Sequence, residues 1–290
     1  MLLSDLIDSY AAAKLALKES YLSQMRTAVN VYGRWLGHSP RLGDLTEESL
    51  AKCLSDYCRN HSRATTNSKR RAILTLWKFA NKRRLTDLSP GDIPTVREHQ
   101  RVPLAWSVAE FERLVAMARQ WPGMVGDQPA RLWWPALYLT CYDTSGRISA
   151  LLSARTVNLS LAERCLLIEP EETKTGKASL YWLHDQTIAA IAAIHDPTRE
   201  LLFPWPHCRR HLWRQCRKIV EAAGLQADKR GMSLFHKIRR TNLSYCAASS
   251  MELARQQAGH SDSRTTIGHY IDPRIARRQS AVDVLPRPKL

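Results

Sequence analysis

At 290 residues the chain is longer than a typical single domain, so we expect two domains that each bury their own core. Forty-three Lys and Arg against 27 Asp and Glu give a formal net charge of +16, which favours nucleic acid as the partner; a membrane surface would attract the same charge, but we expect neither a membrane-spanning segment nor a signal peptide. Seven cysteines, an odd number without paired spacing, argue against a disulfide framework and predict reduced thiols in a cytoplasmic protein.

Residues 1–88 are predicted to form a small helical bundle. Apolar residues at steps of three and four give one helix an apolar face, and Gly37 follows where helices commonly end. Thr46 is suited to cap a second helix, and a third helical segment follows it. The apolar positions of the three faces are Leu22, Met25, Val29, Tyr32 and Leu36, then Leu50, Cys53, Leu54 and Tyr57, then Ile73, Leu76, Trp77 and Ala80. Packed together, these faces would form the core of the first domain.

The stretch between Asp56 and Asp87 contains no acidic residue but many basic ones. A solvated helix face is the simpler interpretation, but such faces ordinarily mix both signs, so we favour contacts with DNA phosphates. The residues predicted to bind DNA here are Arg63, Lys69, Arg70, Arg71 and Lys78. In the second half of the chain we add Lys177 and Arg240 to this set.

Residues 89–104 are predicted to be a linker because prolines recur there without a helical period. Ser107 and Glu110 then have the spacing of a capping box, so the second domain, residues 105–290, opens with a helix. Two apolar runs, 166–168 and 180–183, flank a polar turn at 174–177, which predicts a β-hairpin. The expected fold class is therefore mainly α with a small antiparallel β-sheet, an α+β protein.

The second domain carries groups suited to metal-free transesterification of a phosphodiester. That chemistry needs an attacking oxygen held in line, positive charge on the non-bridging oxygens, and a proton for the leaving oxygen. Arginine forks suit the second task, and lysine or histidine the third. The candidates, in chain order, are Arg147 in Thr-Ser-Gly-Arg, Lys174 in the hairpin turn, His236 and Arg239 in His-Lys-Ile-Arg, His260 after a glycine, and Tyr270. Each alone is an ordinary surface or core residue, but the ordered set is specific.

This ordered set resembles the tyrosine recombinase, or phage integrase, family over most of the second domain. The resemblance implies that Arg147 and Arg239 clamp the scissile phosphate and that Tyr270 attacks it to form a 3′-phosphotyrosyl link. Because the link conserves the bond energy, site-specific recombination through a Holliday junction would need no metal, ATP or other cofactor. A tyrosine is otherwise a weak nucleophile, so help from arginines and a base is expected.

The resemblance also implies roles for Lys174, which would protonate the departing 5′ oxygen, for His236, which would assist proton transfer from the tyrosine, and for His260, which would contact the phosphate. The first domain is similar to the helical core-binding (SAM-like) domain that forms a two-domain DNA clamp with the catalytic domain. Since the chain begins directly in that domain, we expect a simple, Xer-like recombinase without an arm-binding domain. The implied partners are double-stranded DNA with a core site, further copies of the chain in a DNA-bound tetramer, and accessory DNA-bending or directionality factors.

Several positions depart from the family pattern. Ala150 and Asn158 stand where acidic residues are usual, and Arg240 stands where a histidine often follows the second arginine. Ser145 and Gly146 invert the usual order before the first arginine, which predicts a local backbone difference. A catalytically weak or inactive DNA-binding accessory protein of the same fold is therefore the alternative function.

Two other interpretations are less well supported. A type IB topoisomerase uses related chemistry, but its relatives usually carry lysine at the position of His236. A zinc site is suggested by His207, Cys208, His211 and Cys216. Neighbouring arginines would oppose a cation there, so we favour a DNA-facing or packed helix.

The C-terminal tail, from residue 274, places apolar residues among basic ones. Such a segment needs a surface on which to bury its apolar face. Docking on its own domain and docking on a neighbouring protomer of a cyclic assembly are equally open at this point.

Overall fold

The computed structural model describes residues 1–14, 16–91, 93–98, 102–172, 176–227 and 233–276. It separates into two compact units, Met1–Gln100 and Arg101–Leu290, and each has its own hydrophobic core. Among the described residues, none of the helices has both the length and the apolar character that crossing a bilayer requires. The domain and linker limits given above stay predictions.

The first unit is a bundle of helices, as the sequence predicted. Its helices are α1 Leu3–Ala12, α2 Glu19–Leu36, α3 Glu47–Asn60 and α4 Arg63–Lys82. The predicted apolar faces of α2, α3 and α4 pack in one core, with Leu36 and Tyr57 remaining partly exposed. Gly37 ends α2 with φ 81°, a left-handed conformation that glycine adopts without strain, and the Thr46 side chain caps α3 by accepting from the N–H of Ser49.

The chain after α4 has no helix or strand among its described residues up to 107, yet part of it is bound to α4. Trp77 Nε1 donates to the carbonyl of Leu88 at 2.7 Å. The amide of Asn67 pairs with the backbone of Val96 in both directions, at 2.8 and 3.0 Å, which satisfies a buried backbone group as a strand partner would. The first part of the predicted linker is therefore hydrogen-bonded to the first unit.

The second unit is mainly helical with small antiparallel sheets, which confirms the expected fold class. Its helices are α5 Val108–Ala118, α6 Ala130–Thr144, α7 Ile148–Leu151, α8 Asp185–Ala192, α9 Arg209–Ala222, α10 Ser233–Ser249, α11 Met251–Ala258 and α12 Ser263–Tyr270. Its strands are β1 Met124–Val125, β2 Gln128–Pro129, β3 Leu159–Ser160, β4 Cys165–Ile168 and β5 Ser179–Trp182. As predicted, Ser107 and Glu110 form a capping box at the start of α5.

The predicted hairpin is present as β4 and β5, which pair antiparallel with Leu166 opposite Tyr181, and β3 pairs with the other edge of β4. The turn residues 173–175, and the tail beyond 276, lie outside the described residues.

Helix α6 is the central element of the second unit. Most of its side chains are buried because α5, α8 and α10 all pack against it. The helix ends at Thr144, directly before the Ser-Gly-Arg sequence. Its C-terminus and α10 therefore bring the predicted site residues toward one place.

Candidate active site

The turn after α6 is shaped by the residues that precede Arg147. Ser145 has φ 48°, in the left-handed region that side chains disfavour, and its Oγ donates to the carbonyl of Gln257 at 2.9 Å. The N–H of Gly146 donates to Thr144 Oγ1 at 2.9 Å. A Cβ on Gly146 would lie 2.9 Å from that same oxygen, so only glycine allows the close approach. The turn places Arg147 at the N-terminus of α7.

Arg239, on α10, is the most buried charge of the site, with 3% of its surface exposed. Its Nη1 donates to the carbonyl of Ser145, and its Nη2 donates to the carbonyl of Ala258 at 2.7 Å. These carbonyls lie at the C-terminal ends of α6 and α11, where unpaired carbonyls carry partial negative charge. Burial lowers the pKa of the guanidinium and the charge of Arg147 adds to this, while neighbouring Tyr270 opposes it. Arginine nevertheless stays protonated, so the site keeps a buried positive charge.

His260 is held between two partners. Gly259 ends α11 with φ 63°, and the imidazole Nδ1 then lies 2.9 Å from Thr266 Oγ1 on α12. Its Nε2 lies 3.4 Å from Nη2 of Arg239, which can only donate, so Nε2 accepts and Nδ1 carries the proton. Burial, followed by the charges of Arg239 and Arg147, lowers the pKa of His260 to about 4. At neutral pH the ring is therefore uncharged.

Tyr270 is the last residue of α12 and lies against both of these groups. The centroid of its ring is 5.0 Å from the guanidinium carbon of Arg239 and 5.3 Å from the centroid of the His260 ring. Its backbone carbonyl accepts from Ser244 Oγ at 3.2 Å. The tyrosine is half-buried, so its hydroxyl is held beside positive charge without being sealed from solvent.

Arg147 lies beside the same cluster, two residues after Ser145, whose carbonyl accepts from Arg239. Its charge contributes to the lowered pKa values of Arg239 and His260. Its side chain is half-buried and makes no hydrogen bond to any residue that the structure describes. His236 is exposed on α10, one helical turn before Arg239. Lys174 lies outside the described residues. The structure thus brings together Arg147, Arg239, His260 and Tyr270.

The residues predicted to bind DNA occupy varied positions. Three of them are exposed: Arg71, Lys78 and Lys177. Within the first unit, Arg63 donates to the carbonyl of Arg97 and Arg70 to that of Ile93, while Lys69 is half-buried and its pKa is lowered by burial and by Arg34. In the second unit, Arg240 Nε donates to the carbonyl of His269 at 3.3 Å. Their role in binding DNA stays a prediction.

The positions that depart from the family pattern are also placed. Ala150 is buried at 7% exposure on α7, where a carboxylate would be enclosed by the core. The amide nitrogen of Asn158 is buried and has no partner among the described residues. No carboxylate therefore comes from these two positions to orient the arginines.

Of the residues suggested for zinc, Cys216 is buried, His211 is half-buried, and His207 and Cys208 are exposed. The rings of His207 and His211 stack with centroids 4.7 Å apart, and the sulfur of buried Cys216 accepts from the hydroxyl of Tyr138 at 3.4 Å. Within the described ranges, no three His, Cys, Asp or Glu side chains are grouped so that they could hold a metal ion.

Sequence reasoning missed the residues that hold the site groups in place. These residues form hydrogen bonds to the site residues or to the chain beside them: Ser145, Gln257, Thr266, Ser244 and Asp272. The sequence shows an aspartate two positions after Tyr270, but it shows neither the burial of that side chain nor its partner Ala105, which is distant along the chain.

Two arginines, a neutral imidazole and a tyrosine lie around one turn, and guanidinium groups of this kind are suited to binding a phosphate. Residues 107–277, more than half of the chain, match the phage integrase family. The chain therefore belongs to this family of tyrosine recombinases.

Solved structures share the fold at low sequence identity. A lambda integrase dimer bound to a COC′ core site is 17% identical, with a TM-score of 0.72, over 98% of this chain and 100% of that one. The Tn1549 transposon integrase in complex with transposon right end DNA is 12% identical, with a TM-score of 0.71, over 98% and 97%. The XerH site-specific recombinase bound to a palindromic difH substrate is 18% identical, with a TM-score of 0.67, over 88% and 75%. No curated protein matches the sequence.

Proposed function

We propose that this protein is a site-specific recombinase that cleaves and rejoins duplex DNA through Tyr270, without metal or ATP. The observation that carries the proposal is the convergence of Arg239, His260 and Tyr270 beside the turn that bears Arg147. Two guanidinium groups can supply the positive charge that a metal ion supplies in other phosphoryl transferases.

In the proposed reaction, the Tyr270 hydroxyl oxygen attacks the scissile phosphorus, and the bond from phosphorus to the 5′ oxygen breaks. The products are a 3′-phosphotyrosyl strand and a free 5′-hydroxyl, so one phosphoester replaces another and no water is consumed. The tyrosine loses one proton, and the leaving oxygen gains one. Attack by a 5′-hydroxyl on the phosphotyrosine reverses these steps and rejoins a strand.

Arg147 and Arg239 would share the phosphate. Arg147 has all of its donors available among the described residues, while the helix-end carbonyls hold Arg239 in a fixed orientation. The buried Nε of Arg239 has no partner within the described part of the chain, and an oxygen of a bound phosphate would satisfy it. The arrangement is preorganised, so little reorientation would accompany the reaction.

The histidines and the lysine take the proton-handling roles that the family resemblance implies. His236, exposed one turn before Arg239, would assist removal of the tyrosine proton, and Lys174 would give a proton to the departing 5′ oxygen. His260 would contact the phosphate by donating from Nε2. The neutral ring would then carry its proton on Nε2 in place of Nδ1, the phosphate would replace Arg239 as the partner of Nε2, and the Thr266 hydroxyl would donate to Nδ1.

The protein would act as a tetramer on paired core sites and form a Holliday junction. In support, one solved structure with the same fold is a lambda integrase tetramer bound to a Holliday junction, 16% identical with a TM-score of 0.69, over 97% of this chain and 80% of that one. The positive net charge and the basic residues of α4 are consistent with both domains binding DNA. The free cysteines are consistent with a protein that acts in the cytoplasm. Accessory DNA-bending or directionality factors would be further partners.

The test is formation of a covalent protein–DNA adduct in the presence of EDTA. Duplexes from the DNA flanking the gene, nicked near the cleavage position so that the cut strand is lost, would be incubated with the protein and separated on a denaturing gel. We expect an adduct with the wild-type protein and none with Tyr270→Phe. Tyr57→Phe, which removes a phenolic hydroxyl from the first unit, is the matched control and should still form the adduct.

The alternative is a DNA-binding accessory protein with little or no strand-cleaving activity. The missing carboxylates at Ala150 and Asn158 favour it. Tight, site-specific binding without any adduct on nicked duplexes would replace the recombinase proposal with this one.

A further inference from the structure

The chain that follows the nucleophile is fastened to α10 by one buried serine. Ser244 Oγ donates to the carbonyl of Tyr270 at 3.2 Å and accepts from the N–H of Asp272 at 2.8 Å. Because both bonds end on the same side chain, they hold the backbone on either side of Ile271. The backbone at Tyr270 is therefore held in place by α10, the helix that also carries Arg239.

Asp272 itself is completely buried and bonded through both carboxylate oxygens. Its Oδ2 accepts from the N–H of Ala105 at 2.9 Å and from Arg274 Nη2 at 2.6 Å, and its Oδ1 accepts from Nε of Arg274 at 3.0 Å. Burial by itself would raise the pKa of Asp272, but the hydrogen bonds from Arg274 and Ala105 hold the pKa below its usual value. A buried carboxylate is stable only with such donors.

The same helix also holds the segment 105–108, which leads into α5 and which we call the lead-in segment. The N–H of Trp106 donates to Thr241 Oγ1 at 2.9 Å, and the N–H of Val108 donates to the hydroxyl of Tyr245 at 3.1 Å. The N–H of Ala105, in the same segment, donates to Asp272. Asp272 thus joins the lead-in segment directly to the chain that carries the nucleophile.

We propose that Asp272 is a positioning residue for Tyr270, which fixes the tyrosine for attack by tying the chain after it to the lead-in segment and α10. The inference rests on the proposed function. Tyr270 ends a helix of eight residues, and Ile271 is extended, so the placement of the hydroxyl depends on where the following chain is held.

Loss of the carboxylate would leave the buried N–H of Ala105 without its acceptor and would break the link between the lead-in segment and the chain after Tyr270. The two backbone bonds to Ser244 would remain and hold that chain less firmly. Among the described residues, no hydrogen bond joins Asp272 to Arg147 or Arg239, and Arg239 keeps the two helix-end carbonyls that orient it. A displacement of about 1 Å in a reacting group can cost about 100-fold in rate. The effect should therefore fall on attack by the tyrosine and spare the clamp.

The first experiment compares rates of adduct formation on the nicked duplex for the wild type, Asp272→Ala and Asp272→Asn. We expect Asp272→Ala to be about 100-fold slower. Asp272→Asn should recover a large part of the rate, because its amide oxygen still accepts from Ala105. Asp185→Ala is the matched control, since Asp185 is an exposed aspartate paired with Arg164, and its rate should stay within about twofold of the wild type.

The second experiment separates positioning of the tyrosine from general damage to the site. In Tyr270→Phe, hydrogen peroxide serves as an external nucleophile that displaces the same 5′ oxygen from phosphorus, a reaction that needs the arginines and not the tyrosine. Adding Asp272→Ala to Tyr270→Phe should leave this cleavage unchanged.

Slow tyrosine cleavage with unchanged peroxide cleavage supports the inference. Equal losses in the two reactions for Asp272→Ala would overturn it, because the role would then be structural. A wild-type rate of adduct formation in Asp272→Ala would overturn it as well. If the wild-type protein itself forms no adduct, the proposed function fails and this inference fails with it.

Discussion

Ser145 combines a disfavoured backbone conformation with a hydrogen bond, and two substitutions separate these contributions. Its φ of 48° is left-handed, which costs a residue with a side chain about 1–2 kcal/mol. Its hydroxyl donates to the carbonyl of Gln257, a bond that contributes about 1 kcal/mol. Both Ser145→Gly and Ser145→Ala lose the bond, but only glycine relieves the backbone.

The greater freedom of glycine in the unfolded chain offsets about 0.4–1 kcal/mol of that relief. We therefore expect the glycine variant to be more stable than the alanine variant by about 1 kcal/mol. For a domain of this size, the difference corresponds to about 2–4 °C in melting temperature. The glycine variant should lie close to the wild type, because relief of the backbone nearly balances the lost bond.

Differential scanning calorimetry would measure the thermal unfolding of the second unit, and the adduct assay would be run on the same preparations. Because the carbonyl of Ser145 accepts from Arg239, a displaced turn should also slow adduct formation, more in the alanine variant than in the glycine variant. An alanine variant that melts at or above the glycine variant would refute the account of Ser145 as a strained position.

Three further predictions follow from the site and from α4. The pKa of His260 is about 4 in the folded protein and about 6.5 in an unfolded chain, so the folded state binds fewer protons and its stability should fall as the pH drops from about 6.5 to 4. In His260→Asn the melting temperature should fall less over the same pH range, and an equal fall would contradict this. Arg239→Lys keeps the charge but cannot bridge the two helix-end carbonyls, so the rate of adduct formation should drop at least about 100-fold while DNA affinity, measured by gel shift, changes little. A near-normal rate would show that positive charge alone suffices. Arg71→Ala and Lys78→Ala should each reduce the slope of log affinity against log salt by about 1, whereas Lys52→Ala, on α3, should not; unchanged slopes would remove these residues from the DNA interface.

The sequence by itself determined the local elements and singled out the candidate site groups. The apolar steps located the buried faces of α2 to α4, and the side chains of Thr46 and Ser107 cap their helices as predicted. Such features depend on neighbours within a turn or two of the chain, which a single sequence displays directly. The ordered motifs similarly pointed to Arg239, His260 and Tyr270, because their types and order match the needs of the chemistry.

The tertiary structure alone decided which groups hold those residues in place. Asp272 bonds to Ala105 across 167 positions of the chain, and Ser145 bonds to Gln257 across 112. Val96, after α4, is likewise bound to that helix through Asn67, which lies 29 positions earlier in the chain. A buried polar group is stable only with a hydrogen-bond partner. Which residue becomes that partner depends on how the helices pack against one another, and the local spacing of residues in the sequence does not show this packing.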